Sequence, residues 1–265
     1  MIDNSIYQIS QVRDGIWAIQ EKSVRVFVIE GEGRSLIVDT GFGTGDIRKV
    51  AEGLTANPLQ LINTHSDGDH IGCNGYFEST YMHPAEYARY WDKCKKEFDI
   101  EGYVCQPVPV WEGDVIDIGT FQFEVIHLPG HTMGCIALLE REKRFLIAGD
   151  SIQGHGHLHL WGEGRNAHSF LSSMKKLEAQ YMDAIDVIYP SHDDRELPPE
   201  WISKLAADAE QMINGEVEGT TPDPASYPFP IKAQLFAFPE CNLYFNPQQK
   251  ITGVIRKPEG KFSIR

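Results

Sequence analysis

LQLINTHSDGDHIGCNG, residues 59–75, changes character after its sixth residue. Leu59 to Thr64 read as a strand, whereas His65 to Gly75 is polar and punctuated by glycine, the pattern of a loop. Loops at strand ends are where a rigid scaffold presents functional groups. In an extended backbone His65 and Asp67 point the same way and can share one ion. The Asp67-Gly68 pair permits a turn, after which Asp69 and His70 can face a second ion.

Before this stretch, SIYQIS (5–10), GIWAIQ (15–20), VRVFVIE (24–30) and RSLIVDT (34–40) read as strands between charged and glycine-containing turns, and a helix is expected from Thr44 or Gly45 to about Thr55. After it come the short strand TYM and a helix over Pro84–Glu97, with a proline in its first turn and His83 packing against it or capping it. Phe121, Phe123 and Val125 alternate with Gln122 and Glu124 as a half-buried strand, and CIALLE and FLIAG form a hairpin across REKR. HSFLSSMKKLEAQ reads as a helix, AIDVIYP as a strand and PPEWISKLAADAEQMI as a closing helix. Residues 215–230 carry four prolines and read as a connector to three short strands, IKAQLFAF, NLYF and KITGVIR. Those strands are too few to support a core of their own, so a main domain over 1–214 is expected, with 215–265 packing back on it.

Three further polar clusters follow predicted strands: Pro129-Gly130-His131-Thr132, Gly149-Asp150-Ser151 and Pro190-Ser191-His192-Asp193. With residues 65–70 they offer four histidines and, besides Asp193, the three carboxylates Asp67, Asp69 and Asp150, a donor set for a pair of divalent metals. The chain has 24 Lys plus Arg against 38 Asp plus Glu, a formal net charge of −14, which argues against a nucleic-acid partner. With 42% hydrophobic and 23% charged residues it has a globular balance, and no apolar run suits a bilayer span or a signal peptide. A cytoplasmic protein acting on a small molecule is expected, with a homodimer as a candidate assembly. The five cysteines, at 73, 94, 105, 135 and 241, form no CxxC and are expected to be reduced. Cys73 reads as a packed residue rather than a pocket residue.

The sequence resembles the metallo-β-lactamase fold superfamily, through VDTG at 38–41, THSDGDHIG at 64–72, LPGHT at 128–132, AGD at 148–150 and the late His192. The resemblance implies an α/β fold, a four-layer αββα sandwich with a metal pocket where the two sheets meet. It implies that His65, Asp67 and His131 hold one metal, that Asp69, His70 and His192 hold another, and that Asp150 bridges them. Asp39 is expected to serve the turn rather than the metals. The family motif usually has His where this chain has Asp67. Three carboxylates and a bridging hydroxide would give −4 and cancel two divalent ions, which favours iron or manganese over zinc. A carboxylate here also resembles the flavodiiron branch, where Glu occupies the position.

The expected activity is a dinuclear metallohydrolase acting on an ester, thioester or lactone. The alternatives are a redox di-iron protein and a metal-containing binding protein without turnover. Asp69, His155 and His157 are the candidate catalytic groups beside the metals. The segment 151–168, SIQGHGHLHLWGEGRNAH, is expected to wall the substrate pocket, with His155, His157 and His159 on one side if it is extended and Trp161 and Arg165 holding an apolar or anionic group.

Overall fold

The structure is a computed structural model that describes residues 6–96, 105–223 and 233–249. Its first sheet runs in the order β1 (Tyr7–Arg13), β2 (Ile16–Glu21), β3 (Val24–Glu30), β4 (Ser35–Val38), β5 (Leu59–Ile62), β6 (Ser79–Met82) and β7 (Gln106–Pro109). The first four strands meander antiparallel, as their short turns require, and β4 to β7 pair in parallel through crossovers. The crossovers contain α1 (Ile47–Glu52), α2 (Gly68–Ile71) and α3 (Tyr87–Lys96). The second sheet joins β8 (Val115–Asp117), β9 (Gln122–His127), β10 (Ile136–Glu140), β11 (Phe145–Gly149) and β13 (Val187–Pro190), where β12 is His157–His159. Its helices are α4 (Ala167–Gln180) and α5 (Glu200–Asn214).

Alternation along the strands builds the layers. Val125, Ile136, Leu138, Phe145 and Ile147 face inward and pack with Phe27, Ile29, Leu36 and Val38 of the first sheet. Their neighbours Ile126, Ala137, Leu139, Leu146 and Ala148 face outward, under Phe170, Met174 and Leu177 of α4 and Leu205 and Ala209 of α5. On the far side, Val26, Val28 and Ile37 pack with Ile47 and Val50 of α1. Each sheet is therefore buried on both faces, which accounts for strands such as VRVFVIE with almost no exposed position. This is the expected αββα arrangement.

The structure corrects several local readings. The helix expected from Thr44 or Gly45 begins only at Ile47, because Asp46 caps it through a 3.0 Å bond from the Lys49 amide. The glycine-rich loop before it is held by buried Glu21, which accepts from the Phe42 and Thr44 amides at 2.8 and 2.9 Å. The segment read as one helix from Pro84 opens as a 3-10 turn, Pro84–Glu86, before α3. Nothing in the sequence reading anticipated β7, which carries two prolines and sits at a sheet edge, where missing donors cost least. A third sheet, in the order β12, β15 (Asn242–Phe245), β14 (Gln234–Phe236), places Leu158, Leu243 and Phe236 in the same core as α4 and α5. The expected strand KITGVIR lies outside the described residues.

Strands β4, β5, β9, β11 and β13 all end at one edge of the sandwich, carrying Asp39, residues 63–70, His131, Asp150 and His192 there. Two backbone bonds tie the sheets at this edge, from Ile136 to the Thr64 carbonyl at 2.9 Å and from Arg25 to the Ser191 carbonyl at 2.8 Å. Gly72 fixes the loop between β4 and α1 against α2: its amide bonds the Gly41 carbonyl at 2.9 Å, and a Cβ there would lie 2.3 Å from the Phe42 carbonyl carbon. Gly72→Ala is expected to cost about 3 kcal/mol, the upper range for overpacking, read as a lowered urea midpoint at unchanged slope. An unchanged midpoint would show that the loop yields freely.

Candidate metal centre

His65 and Asp67 follow β5, and Asp67 occupies the N-cap position of α2 in extended backbone. Asp69 and His70 then fall on that single turn of helix and face the second cluster. His65, Asp67 and His131 bring one donor atom each within 4.8 Å of one another, and so do Asp69, His70 and His192. Asp150 stands between the groups: Oδ2 lies 3.5 Å from His131 Nε2 and 3.3 Å from His192 Nε2, while Oδ1 lies 3.2 Å from His70 Nε2. All seven residues named from the sequence are thus gathered at one place.

The histidines are aimed from behind. Asp39, at φ 66°, accepts from the Thr64 amide at 2.8 Å and places Oδ2 2.8 Å from His70 Nδ1. His131 Nδ1 lies 3.1 Å from the His159 carbonyl, and His192 Nδ1 lies 2.8 Å from the Ser23 carbonyl. Because those carbonyls only accept, Nδ1 of each ring carries a proton, which leaves Nε2 facing the centre as the atom that would ligate a metal. His65 Nε2 is buried without a hydrogen-bond partner, 3.7 Å from Asp67 and 3.9 Å from Asp150. An orphaned buried nitrogen among imidazoles and carboxylates fits divalent metal ions.

Electrostatics point the same way. Burial alone would lower His70, but Asp150, Asp39 and Asp69 outweigh it and hold it well above its usual value. His192 is likewise pushed up to about 10 against its burial, chiefly by Asp150. Asp69, despite burial, is pulled down to about 2 by His70 and His192.

A cavity of about 600 Å³ opens over the centre, with Arg165, Gln153 and Phe42 in its wall. His155, His157 and His159 also line it, although the expected alternation fails at His155, whose φ of 52° takes it out of β12. His155 stacks on Trp201 with ring centroids 5.7 Å apart and sits 3.7 Å from Asp193. His159 stacks on Tyr244, and burial beside Arg165 pushes it down to about 3. Trp161 is not among the residues lining this cavity. Cys73 packs in the first sheet's outer core, its thiol bonding the Gly45 carbonyl at 2.9 Å. Cys73, Cys105, Cys135 and Cys241 are all buried.

Several residues escaped the sequence reading. Glu86, 1% exposed, accepts from the Ser66 amide and hydroxyl at 2.9 and 2.5 Å and from the Gly134 amide at 2.8 Å, joining two ligand loops. His83, by contrast, caps the turn at Pro84 as expected: it accepts from the Ala85 amide at 3.2 Å and stacks on His127. Arg89, Lys93 and Arg165 all contact the Asp67 carboxylate. That overturns the charge count made from the four loops: Asp67 does not stand as an uncompensated negative charge, so the count gives no preference for iron or manganese. Only the i, i+4 spacing of Arg89 and Lys93 was visible in the sequence, and it does not say what they face.

Residues 20–192 match the metallo-beta-lactamase superfamily. Over 215 residues the chain is 28% identical to the acyl-coenzyme A thioesterase MBLAC2 of Gallus gallus, covering 67% of this chain and 77% of that one. It is 31% identical over 178 residues to the hydroxyacylglutathione hydrolase of Bdellovibrio bacteriovorus, 66% of each chain. Among solved structures, a metallo-beta-lactamase family protein of Thermus thermophilus superposes with a TM-score of 0.62 at 22% identity, covering 78% of this chain and 83% of that one. The chain belongs to the metallo-beta-lactamase superfamily. It is a metal-binding hydrolase of that superfamily. No helix among the described residues is long and apolar enough to cross a membrane.

Proposed function

We propose that this protein is a thioesterase that uses two divalent transition-metal ions, zinc, iron or manganese, to hydrolyse the thioester of a small acyl thiol. The observation that carries this is the convergence of two His-carboxylate groups on Asp150 at the floor of one cavity. Support for the thioester bond comes from two differently named relatives, an acyl-coenzyme A thioesterase and a hydroxyacylglutathione hydrolase, which both act on acyl thiols.

Bound at the two groups, the ions would activate water for attack and polarise the thioester carbonyl. The chain's own contribution is position. Asp39, the His159 carbonyl and the Ser23 carbonyl hold three imidazoles in register, and Asp150 spans both groups. Asp69, the most exposed of the three carboxylates, faces the cavity and is placed to orient the attacking water through a hydrogen bond. A departing thiolate has a conjugate acid of pKa about 8.5 and leaves without a proton donor. His155 and His157 are therefore assigned to substrate binding rather than to acid catalysis.

His157→Ala is expected to raise KM several-fold with kcat within about twofold, the signature of lost uniform binding. A fall in kcat with unchanged KM would return His157 to a catalytic role. The reading as a whole is tested by thiol release from acyl-coenzyme A and S-acylglutathione substrates, with metal-loaded and chelator-treated protein side by side. Release that stops with chelation and returns with metal is expected. Absence of thiol release from both substrate classes by protein holding two ions would contradict it.

A further inference from the structure

The departure at Asp67 raises a physical problem: a buried anion stands where the resembled motif carries a neutral imidazole. The two carboxylate oxygens are used differently. Oδ1 receives Arg89, through Nε at 3.2 Å and Nη2, and Lys93 Nζ at 3.3 Å. Oδ2 faces His131 Nε2 at 3.1 Å and His65 Nε2 at 3.7 Å, with Arg165 beside it. Arg89 and Lys93 lie one turn apart on α3, so one helix face delivers both to the same oxygen. Asp67 also declines the usual task of its position. An N-cap aspartate ordinarily accepts an amide of the first turn, yet the Asp67 side chain makes no such bond and is directed into the centre instead.

We propose that Arg89 and Lys93 convert Asp67 into a working substitute for the motif histidine: with Arg165 sharing the carboxylate's charge, they anchor its outer oxygen and turn the inner one toward His65 and His131. This rests on the two-ion reading above. The shorter reach of Asp, one methylene less than Glu, is then no obstacle, because the carboxylate is held from behind as the imidazoles are. Arg89 and Lys93 are positioning residues. Arg89 Nη1 also donates to the Glu163 carbonyl at 3.2 Å, which couples the same side chain to the segment that carries Arg165 into the cavity.

The test reads bound zinc rather than turnover. The whole chain is loaded with zinc and equilibrated in graded zinc buffers, and zinc per chain is measured. Wild type is expected to hold two ions. Arg89→Met/Lys93→Met is expected to release one of them about 10–100-fold more easily, the usual penalty for removing a partner that orients a ligand, with the other ion unchanged. Adding Asp67→His to that pair should restore the weakened ion, since an imidazole has no outer oxygen for Arg89 and Lys93 to anchor. Unchanged release in the double variant would overturn the inference. So would a loss that Asp67→His does not repair, since the cations would then be holding the loop rather than positioning the ligand. If the double variant does not fold, Arg89→Gln with and without Asp67→His decides the question by the same titration. Wild type that binds fewer than two ions would overturn the two-ion reading and this inference together. Two ions without thiol release would contradict the thioesterase reading alone.

Discussion

Asp150→Asn is expected to lower kcat/KM for thioester hydrolysis about a thousandfold or more while the protein stays folded. Asp150 is the only carboxylate among the seven clustered residues whose oxygens approach histidines of both groups, at 3.5 Å for His131 and 3.2 and 3.3 Å for His70 and His192. It is nearly buried, so its charge acts with little screening. Replacing it with a neutral amide of the same shape keeps the packing and withdraws the charge that spans the centre. Metal-ion catalysis supplies several kcal/mol of transition-state stabilisation, and about 4 kcal/mol corresponds to a thousandfold in rate. The measurement is kcat/KM for the best thioester substrate, with thermal unfolding as the control for folding. Activity within tenfold of wild type at an unchanged fold would remove Asp150 from the centre.

Glu86→Ala is expected to destabilise the protein by about 4 kcal/mol, close to the upper end for a single substitution. Glu86 satisfies three donors that have no route to water: the Ser66 amide, the Ser66 hydroxyl and the Gly134 amide. Each buried donor left unpaired costs about 1–3 kcal/mol. The damage falls on the site as well as on stability, because the carboxylate ties the loop of His65 and Asp67 to the loop that follows His131. Urea unfolding checks the prediction, with the metal-free protein compared in both forms so that ion binding does not enter. A change below about 1 kcal/mol would mean that neighbouring groups take over the three bonds.

The strands were legible because both faces of each sheet are buried and their apolar content is high, as in VRVFVIE and CIALLE. The polar clusters were legible because each begins where such a strand ends. What escaped was set by tertiary partners. Strand β12 exists because His157–His159 pairs with Asn242–Tyr244, a partner far along the chain, and no local pattern encodes it. The single turn of α2 is too short to show a helical period. Arg89 and Lys93 were visible as helix residues, yet their common target depends on how α3 docks, so counting the loop carboxylates alone misjudged the charge at Asp67. Asp39 was read as turn chemistry, and its left-handed backbone fits that, but its hydrogen bond to His70 forms only once β4 and β5 lie side by side.

Two ions are expected to sit between these residues. Anomalous scattering from crystals of the metal-loaded protein addresses it directly. Two peaks are predicted, one contacting His65, Asp67 and His131, the other Asp69, His70 and His192, with Asp150 touching both. A single peak, or peaks bound outside these seven side chains, would contradict it.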